Sequence, residues 1–358
     1  PAGLYCYNSA MTAEPDGRFS IARVTRAWYV ACASGELGAR PLARTVLGTP
    51  LVVFRGPEGK PAALLDRCAH RNAPLSLGRR LDGRLQCAYH GWEYDAAGIC
   101  VQVPGLVGAA EKSPRAVPRF PTREEDGFVW VYATPDADPA TGPYRIPEPG
   151  PGYTEARRMV EVESTLHAAL ENALDVPHTA FLHKGLFRGA GRVHRIKVRV
   201  ARSADRVEAE YIGEPRPEGL AGRLLSPSGG VVEHFDRFIL PSTAQVEYRL
   251  GRENHFLITT IATPVEDFRT RLYAVIHFRT RFPGRLVRLL IEPVARRIFS
   301  QDAAILKRQA DSVRRFGGEH YTSTEVDVLG LQIQQLLKRA AAGEVSVEEW
   351  QREFEMEV

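Results

Sequence analysis

Residues 68–95 read CAHRNAPLSLGRRLDGRLQCAYHGWEYD, and the metal chemistry in this stretch decides the fold. Cys68 and His70 form a Cys-x-His pair; sixteen residues further on, Cys87 and His90 form a Cys-x-x-His pair. Short apolar runs on either side place both pairs on turns between strands. Two thiolates and two imidazoles offered from two loops suit tetrahedral zinc, or a two-iron cluster in which histidines replace two cysteines on one iron. Zinc sites more often pair like ligands within one loop. Here each loop mixes a sulfur with a nitrogen, so one iron can take both sulfurs and the other both nitrogens, and the two-iron reading is preferred. Cys6, Cys32 and Cys100 have no histidine at matching spacing and read as small buried residues.

The rest of the chain must house such a centre. Its 358 residues are roughly two domains at about 150 residues each. A composition of 44% hydrophobic and 25% charged residues excludes disordered, collagenous and coiled-coil chains. A net charge of +4 is too small to argue for nucleic acid. No run approaches the roughly 18–20 apolar residues of a membrane span, and the sequence from Pro1 lacks a signal-peptide layout, so a cytoplasmic protein is expected. An odd count of five cysteines in such a chain is no disulfide framework.

Between Thr134 and Gly152 lie six prolines and three glycines, a density that regular helices and central strands do not tolerate. This divides the chain into an N-terminal segment (1–25), a first domain (26–135), a linker (136–152) and a second domain (153–358). Runs at Trp28–Ala33, Leu51–Phe54, Ala62–Leu65 and Phe128–Tyr132, broken by Gly, Pro and Asp, make the first domain all-β. In the second, Arg158–Glu163, Arg195–Val200, Arg206–Tyr211, Val231–Leu240, Gln245–Leu250, Phe256–Ala262 and Arg271–Phe278 alternate apolar and polar residues, as half-buried antiparallel strands do. Helical periodicity covers Thr165–Val176 before most of these strands, and Pro293–Phe316 and Thr324–Ala342 after them. The predicted class is α+β, an all-β domain followed by a curved antiparallel sheet gripping a long helix.

A second constellation opens the sheet domain: Glu171-Asn-Ala-Leu-Asp175-Val-Pro-His178-Thr-Ala-Phe-Leu-His183. Two histidines five apart on a helix point about 140° away from each other. Pro177 interrupts the helix, so His178 and His183 can converge across a bend. Two neutral imidazoles with one carboxylate form the facial triad that leaves ferrous iron open positions for substrate and dioxygen. The carboxylate has to come from elsewhere in the chain.

The first stretch resembles the Rieske signature, and the second is similar to the mononuclear iron motif Asn-x2-Asp-x2-His-x4-His of the Rieske oxygenases, met here by Asn172, Asp175, His178 and His183. The resemblance implies that Cys68 and Cys87 hold the inner iron of a [2Fe-2S] cluster and that His70 and His90 hold the outer one. It implies a mononuclear Fe(II) bound by His178, His183 and a distant aspartate, for which Asp302 in RRIFSQDAAIL fits chain order better than Asp267 or Asp311. Asp175 then serves as a bridge, joining the iron's histidine to a cluster histidine of the neighbouring subunit in a ring-shaped homo-oligomer, most often a trimer. Gly91 lets the backbone approach the cluster, and Trp92 shields it.

The two motifs together resemble those of a terminal oxygenase, which implies electrons taken from NAD(P)H through a separate reductase or ferredoxin and spent on O2. No Gly-x-Gly-x-x-Gly follows a strand, so the chain binds no nicotinamide or flavin by that fingerprint. Arg67, Arg71, Arg79, Arg80 and Arg84 rim the cluster loops and could steer an acidic electron donor. Pro293 interrupts the basic and apolar stretch from Arg279 to Phe299 as a helix, and the stretch reads as packing against the sheet, with peripheral membrane contact as the second reading. Its layout resembles the pheophorbide a oxygenase and sterol-oxidising branch, which implies a large hydrophobic polycyclic substrate. An aromatic-acid hydroxylase or O-demethylase of the same family is the alternative. A pure electron carrier would need only the first domain, and a lipid-binding module only the second. Pocket-lining residues are expected on the strands and between Leu186 and Arg192.

Overall fold

The computed structural model describes residues 23–183, 194–215, 232–251, 254–344 and 349–357. Short strands bounded by turn residues build the first domain: β1 (Trp28–Ala33), β2 (Leu42–Val46), β3 (Thr49–Arg55), β4 (Pro61–Leu65), β5 (Arg79–Leu81), β6 (Arg84–Gln86), β7 (Glu93–Tyr94), β8 (Cys100–Gln102), β9 (Arg119–Phe120), β10 (Thr122–Glu125) and β11 (Phe128–Tyr132). They pair into three small sheets ordered β1-β11-β10, β2-β3-β4-β9 and β5-β6-β7-β8. The last carries the ligand loops at one end, and Phe54, Leu64, Leu75, Leu85 and Tyr94 pack beneath Cys68 and Cys87. Each fully buried apolar side chain of this kind is worth about 1.5–3 kcal/mol, which makes the base under the loops firm.

The proline-rich stretch forms no helix or strand, yet it is tied down. The Asp126 carboxylate accepts from the Ile146 amide at 2.8 Å and from the Arg145 guanidinium at 2.9 Å, while the Trp28 indole donates to the Thr141 carbonyl at 2.9 Å.

The second domain runs β12 (Thr154–Val162), α1 (Leu166–Leu174), α2 (His178–Leu182), β13 (Arg195–Arg202), β14 (Arg206–Ile212), β15 (Val232–Ile239), β16 (Thr243–Leu250), β17 (Asn254–Glu266), β18 (Arg269–Arg279), α3 (Gly284–Phe316), α4 (Gly330–Ala342) and β19 (Trp350–Glu357). Its strands form one antiparallel sheet, β12-β18-β17-β16-β15-β14-β13-β19. Because side chains alternate along a strand, each strand serves two faces. Val198, Val200, Val207 and Ala209 pack against Leu166, Leu170, Ile333 and Leu336 of the helices. Ile261, Tyr273 and Val275 on the other face pack against Trp28, Val30, Phe128 and Trp130 of the first domain. Buried hydrogen bonds seal that join, from the Thr263 hydroxyl to the Val30 carbonyl at 2.8 Å and from the Tyr273 hydroxyl to the Ala31 carbonyl at 3.2 Å.

Two features differ from the sequence reading. α3 begins at Gly284 and runs through Pro293, where the sequence predicts an interruption. Proline removes the hydrogen bond to the carbonyl four residues back; that carbonyl belongs to Leu289, which is 70% exposed, so water can serve it. Leu286 is exposed as well, while elsewhere along its length α3 contacts β12, with Arg158 of β12 paired to Glu292. The edge strand β19 is an addition to the expected strands, although Trp350, Phe354 and Met356 alternate with charged residues; it pairs with β13 from Trp350 opposite Arg202 to Glu357 opposite Arg195. Residues 1–22 of the N-terminal segment, Cys6 among them, and the stretch from Leu186 to Arg192 lie outside the described residues. No helix among the described residues is long and apolar enough to cross a membrane.

Candidate metal centres

Cys68 and His70 sit between β4 and β5, and Cys87 and His90 between β6 and β7. Each loop is a closed turn. The Asn72 amide donates to the Cys68 carbonyl at 3.0 Å and the Gly91 amide to the Cys87 carbonyl at 3.1 Å. Gly91 takes φ +70°, a left-handed conformation that favours glycine, and a Cβ there would meet the Pro104 ring at 3.1 Å. Cys68 and Cys87 are buried, His70 is half-buried and His90 exposed, so the sulfurs lie inward and the imidazoles outward. The rings of His70 and His90 meet edge to face at 4.5 Å, and Trp92 stacks on His70 at 4.8 Å.

Sequence reasoning missed Tyr94. Its hydroxyl oxygen accepts from the Ala69 amide at 3.2 Å, which leaves its proton for Cys68 Sγ, also at 3.2 Å. Burial pushes the Cys68 thiol up, and the hydrogen bond from Tyr94 opposes it. A buried thiol of this kind is readily held as thiolate by a metal. Burial, with His90 and Arg71 adding to it, lowers the pKa of His70 and favours the neutral imidazole, the form that ligates. The five arginines of the rim are all exposed.

At the second centre, α1 ends at Leu174, Asp175 caps it, and Pro177 opens α2, whose first residue is His178. His183 follows the last turn of α2, and α3 supplies Gln301 and Asp302. The bend at Pro177 thus turns two histidines toward each other across a single helical turn. His178 Nε2 lies 3.3 Å from His183 Nε2, and Asp302 Oδ1 is 3.0 Å from His183 Nε2 and 3.7 Å from His178 Nε2. Among the described residues this is the group of acid, histidine or cysteine donors close enough to share one ion. Asp267 pairs with Arg23 and Asp311 with Arg314, so neither reaches it.

The protons decide what the cluster of donors is for. His178 Nδ1 faces Asp175 Oδ2 at 3.2 Å, and His183 Nδ1 faces Gln301 Oε1 at 2.9 Å. Each Nδ1–H is thereby committed to an oxygen acceptor, and each Nε2 presents a lone pair. Two lone pairs and a buried carboxylate oxygen without a hydrogen-bond partner then face one another. Such a contact is repulsive until a cation sits between them, and donor separations near 3 Å fit ligands at right angles roughly 2.1 Å from one ion. Burial raises the pKa of Asp302, opposed by His183 and His178. Asn172 also hydrogen-bonds that carboxylate. For His178 burial works downward, but the hydrogen bond and charge of Asp175 outweigh it and the pKa is raised.

The helix-facing side of the sheet adds residues that the sequence reading did not single out. Tyr211, His234 and Tyr248 lie opposite one another on β14, β15 and β16. The imidazole is stacked between the two tyrosine rings, at 4.5 and 3.9 Å. Its Nδ1 meets Glu214 at 2.7 Å and its Nε2 meets Asp236 at 3.0 Å. Burial lowers the pKa of His234, but Asp236 and Glu214 overcome that and push it up to about 9. Val246, Ile258 and Ile276 continue the row of Asp236 across β16–β18 and are half-buried. α1 crosses the sheet over β15–β18, and Tyr211 shares a water-sized cavity of about 10 Å³ with Asp175 and Glu171.

An all-β module with paired Cys/His loops, joined to a sheet-and-helix domain holding two histidines and an aspartate, defines a Rieske-type terminal oxygenase. Residues 27–121 match the family model of the Rieske [2Fe-2S] domain, and residues 162–343, half of the chain, match that of the vanillate O-demethylase oxygenase C-terminal domain. The chain belongs to this family of Rieske oxygenase components. It is 41% identical over 166 residues to the dicamba O-demethylase oxygenase component of Stenotrophomonas maltophilia, across 45% of this chain and 48% of that protein. It is 26% identical over 344 residues to the vanillate O-demethylase oxygenase subunit of Pseudomonas sp. (strain HR199 / DSM 7063), across 89% and 95%. A crystal structure of dicamba monooxygenase bound to dicamba superposes with a TM-score of 0.74 at 26% identity, over 90% of this chain and 99% of that one. The cofactors that go with the family are a [2Fe-2S] cluster and a mononuclear non-haem iron.

Proposed function

We propose that this protein is the terminal oxygenase of a multicomponent system that oxidatively demethylates an aryl methyl ether. Cys68, His70, Cys87 and His90 hold the cluster; His178, His183 and Asp302 hold the iron; Asp175 fixes His178 and bridges toward the cluster of a neighbouring subunit. The observation that carries the reading is the convergence of two histidine nitrogens and the Asp302 oxygen on one point, with His183 buried and His178 and Asp302 half-buried. When bound, the two groups supply reductive activation of O2. The overall conversion balances as an aryl methyl ether, O2, NAD(P)H and a proton giving a phenol, formaldehyde, NAD(P)+ and water. The protein's own part is to fix both histidine tautomers through Asp175 and Gln301 and to hold the methyl group over the open side of the triad.

The match of the catalytic half to a vanillate O-demethylase family model favours demethylation over the polycyclic or sterol-like oxidation expected from the basic apolar stretch. Electrons arrive from an acidic ferredoxin or reductase drawn by the exposed arginine rim. Exposed Leu77 and Tyr89 beside one centre and Phe181 beside the other give two unlike apolar patches. Unlike patches that join head to tail close into a ring, which fits a homotrimer. Leu286 and Leu289, exposed beside Arg288, support the reading of a peripheral contact at an anionic lipid surface. The test is iron analysis with electron paramagnetic resonance. Three irons per chain and a reduced-cluster signal, with one iron lost selectively in His178→Ala, are expected. Zinc in the first domain, or two irons in fully loaded protein, would overturn the reading.

A further inference from the structure

The ligand set leaves unused a histidine and a glutamate one turn apart on α1. His167 and Glu171 share a face of that helix at a spacing of four. His167 is 4% exposed, and its Nε2 lies 3.0 Å from the Gly330 carbonyl at the start of α4. A carbonyl only accepts, so Nε2 carries the hydrogen and Nδ1 of the neutral ring presents a lone pair. That Nδ1 is buried without a hydrogen-bond partner and faces Glu171 Oε2 at 4.0 Å. Two acceptors facing each other away from water are costly, and a proton on the carboxyl group relieves the cost. Gly330 makes room for the pair, since a Cβ there would overlap Glu171 Oε1.

The surroundings favour that proton. Burial raises the pKa of Glu171; His167 opposes it, and the charges of Asp175, Asp327 and Glu319 raise it further. Glu319 accepts from the Thr165 hydroxyl at 2.6 Å and from the Tyr321 hydroxyl at 3.1 Å, and Tyr321 lies tilted beside the His167 ring. Among the described residues no Arg or Lys lines the cavity that Glu171 shares with Asp175, Pro177, Tyr211 and Asp327. That cavity, of about 10 Å³, has room for one water with carboxyl groups as partners. Its Asp175 wall meets His178 Nδ1 at 3.2 Å, which puts the cavity directly behind the iron-side histidine. Glu171 also keeps 31% of its side chain exposed, so it has one side toward the cavity and one toward solvent.

We propose that Glu171, held in place by His167, is the proton relay of this oxygenase, passing its carboxyl proton to a water in the cavity behind Asp175 and taking a new one from solvent. The proposal rests on the oxygenase reading and goes beyond it. The chemistry needs such a source: an aryl methyl ether, O2, two electrons and two protons give a phenol, formaldehyde and water, and an iron–sulfur donor delivers electrons without protons. In each transfer the Glu171 O–H bond breaks, its electron pair stays on the carboxylate, and an O–H bond forms on the water. Nothing is oxidised or reduced in that step.

The test compares the iron-loaded parent with Glu171→Gln, which keeps the size of the side chain and cannot pass on a proton. Infrared spectroscopy at neutral pH is expected to show a protonated-carboxyl stretch in the parent that shifts in heavy water and is missing from the variant. With a reductase and 4-hydroxy-3-methoxybenzoate as the probe, formaldehyde release is expected to fall roughly tenfold or more in the variant, with iron content and cluster reduction kept. The parent's rate falls as pH rises and Glu171 loses its proton, and the variant lacks that limb. Glu171→Asp keeps the acid but shortens its reach; it is expected to recover part of the rate, and it serves in place of the amide variant should that one not fold. A parent without the band, the same band in Glu171→Gln, or a variant with the parent's rate and pH limb overturns the relay. No formaldehyde from the parent would count against the demethylase reading, and a missing third iron against the oxygenase reading; the infrared band decides on the proton independently of both.

Discussion

His183 and Asp302 meet at 3.0 Å, Nε2 to Oδ1, although one closes a single-turn helix and the other lies within a 33-residue helix. Gln301, the neighbour of Asp302, takes the opposite nitrogen of the same ring at 2.9 Å. One helix therefore supplies both a candidate ligand and the acceptor that sets the tautomer of its partner. Gln301→Ala frees the ring and removes the bias toward an Nε2 lone pair. Iron affinity at the mononuclear site is expected to fall roughly 10–100-fold while the cluster signal is kept. Competition with a ferrous chelator measures it, and an affinity within twofold of the parent would refute the role of Gln301.

The two ligand motifs are legible because their residues lie close together in sequence, where turn chemistry and a proline break decide which side chains can converge. Asp302 is reached through chain order and resemblance. Gln301, Tyr94 and His234 carry no comparable signal. Tyr94 reaches Cys68 because β7 lies beneath the loop, and His234 meets Tyr211 and Tyr248 through strand register. Register is a long-range property, and a slip of one residue would turn His234 to the opposite face. The strands of the sheet are readable from alternation alone, whereas Pro293, read in sequence as an interruption, hides the first turns of α3. A proline whose lost partner carbonyl faces water is a weaker stop than one in a buried helix.

Tyr94 gives a prediction on the cluster. A hydrogen bond to Cys68 Sγ stabilises the more negative, reduced state and raises the potential. Tyr94→Phe keeps the buried ring and removes the donor. A loss of about 1 kcal/mol of differential stabilisation lowers a one-electron potential by roughly 40 mV. A redox titration followed by circular dichroism reads the change, and an unaltered or higher potential would contradict this account of the bond.

Asp175 accepts from both the backbone amide and the ring of His178 at 3.2 Å. Asp175→Asn preserves the shape but offers a weaker acceptor without charge. Iron content and cluster reduction by the donor are expected to stay near those of the parent, with turnover reduced by about 10²-fold or more, because the tautomer and the bridge are both weakened. Single-turnover transfer from the reduced cluster, followed by optical absorbance, separates this from a loss of metal. Unimpaired turnover in the variant would rule out the bridge.

His234 makes stability depend on pH. Its pKa rises from 6.5 to about 9 on folding, the pull of Asp236 and Glu214 exceeding the effect of burial. Asp236 is also raised, by burial first, with His234 opposing. For a raised histidine, folded and unfolded chains both bind the proton below about 6.5, and its stabilisation is whole there. As pH climbs toward 9 the unfolded chain has already released its proton, and the contribution drains away. Asp236 has the same sign, because a raised carboxyl also means that the folded chain binds more protons, but its contribution begins to be lost already above the ordinary carboxyl value of 3.8. Stability is expected to fall between pH 6.5 and 9 by on the order of 1–3 kcal/mol from this group. His234→Gln is less stable at neutral pH, since it leaves buried carboxylates without their cation, and its melting temperature changes less over that interval. Thermal unfolding of both proteins at matched ionic strength checks the point: if the two slopes are equal, His234 is not the group whose proton the folded chain retains.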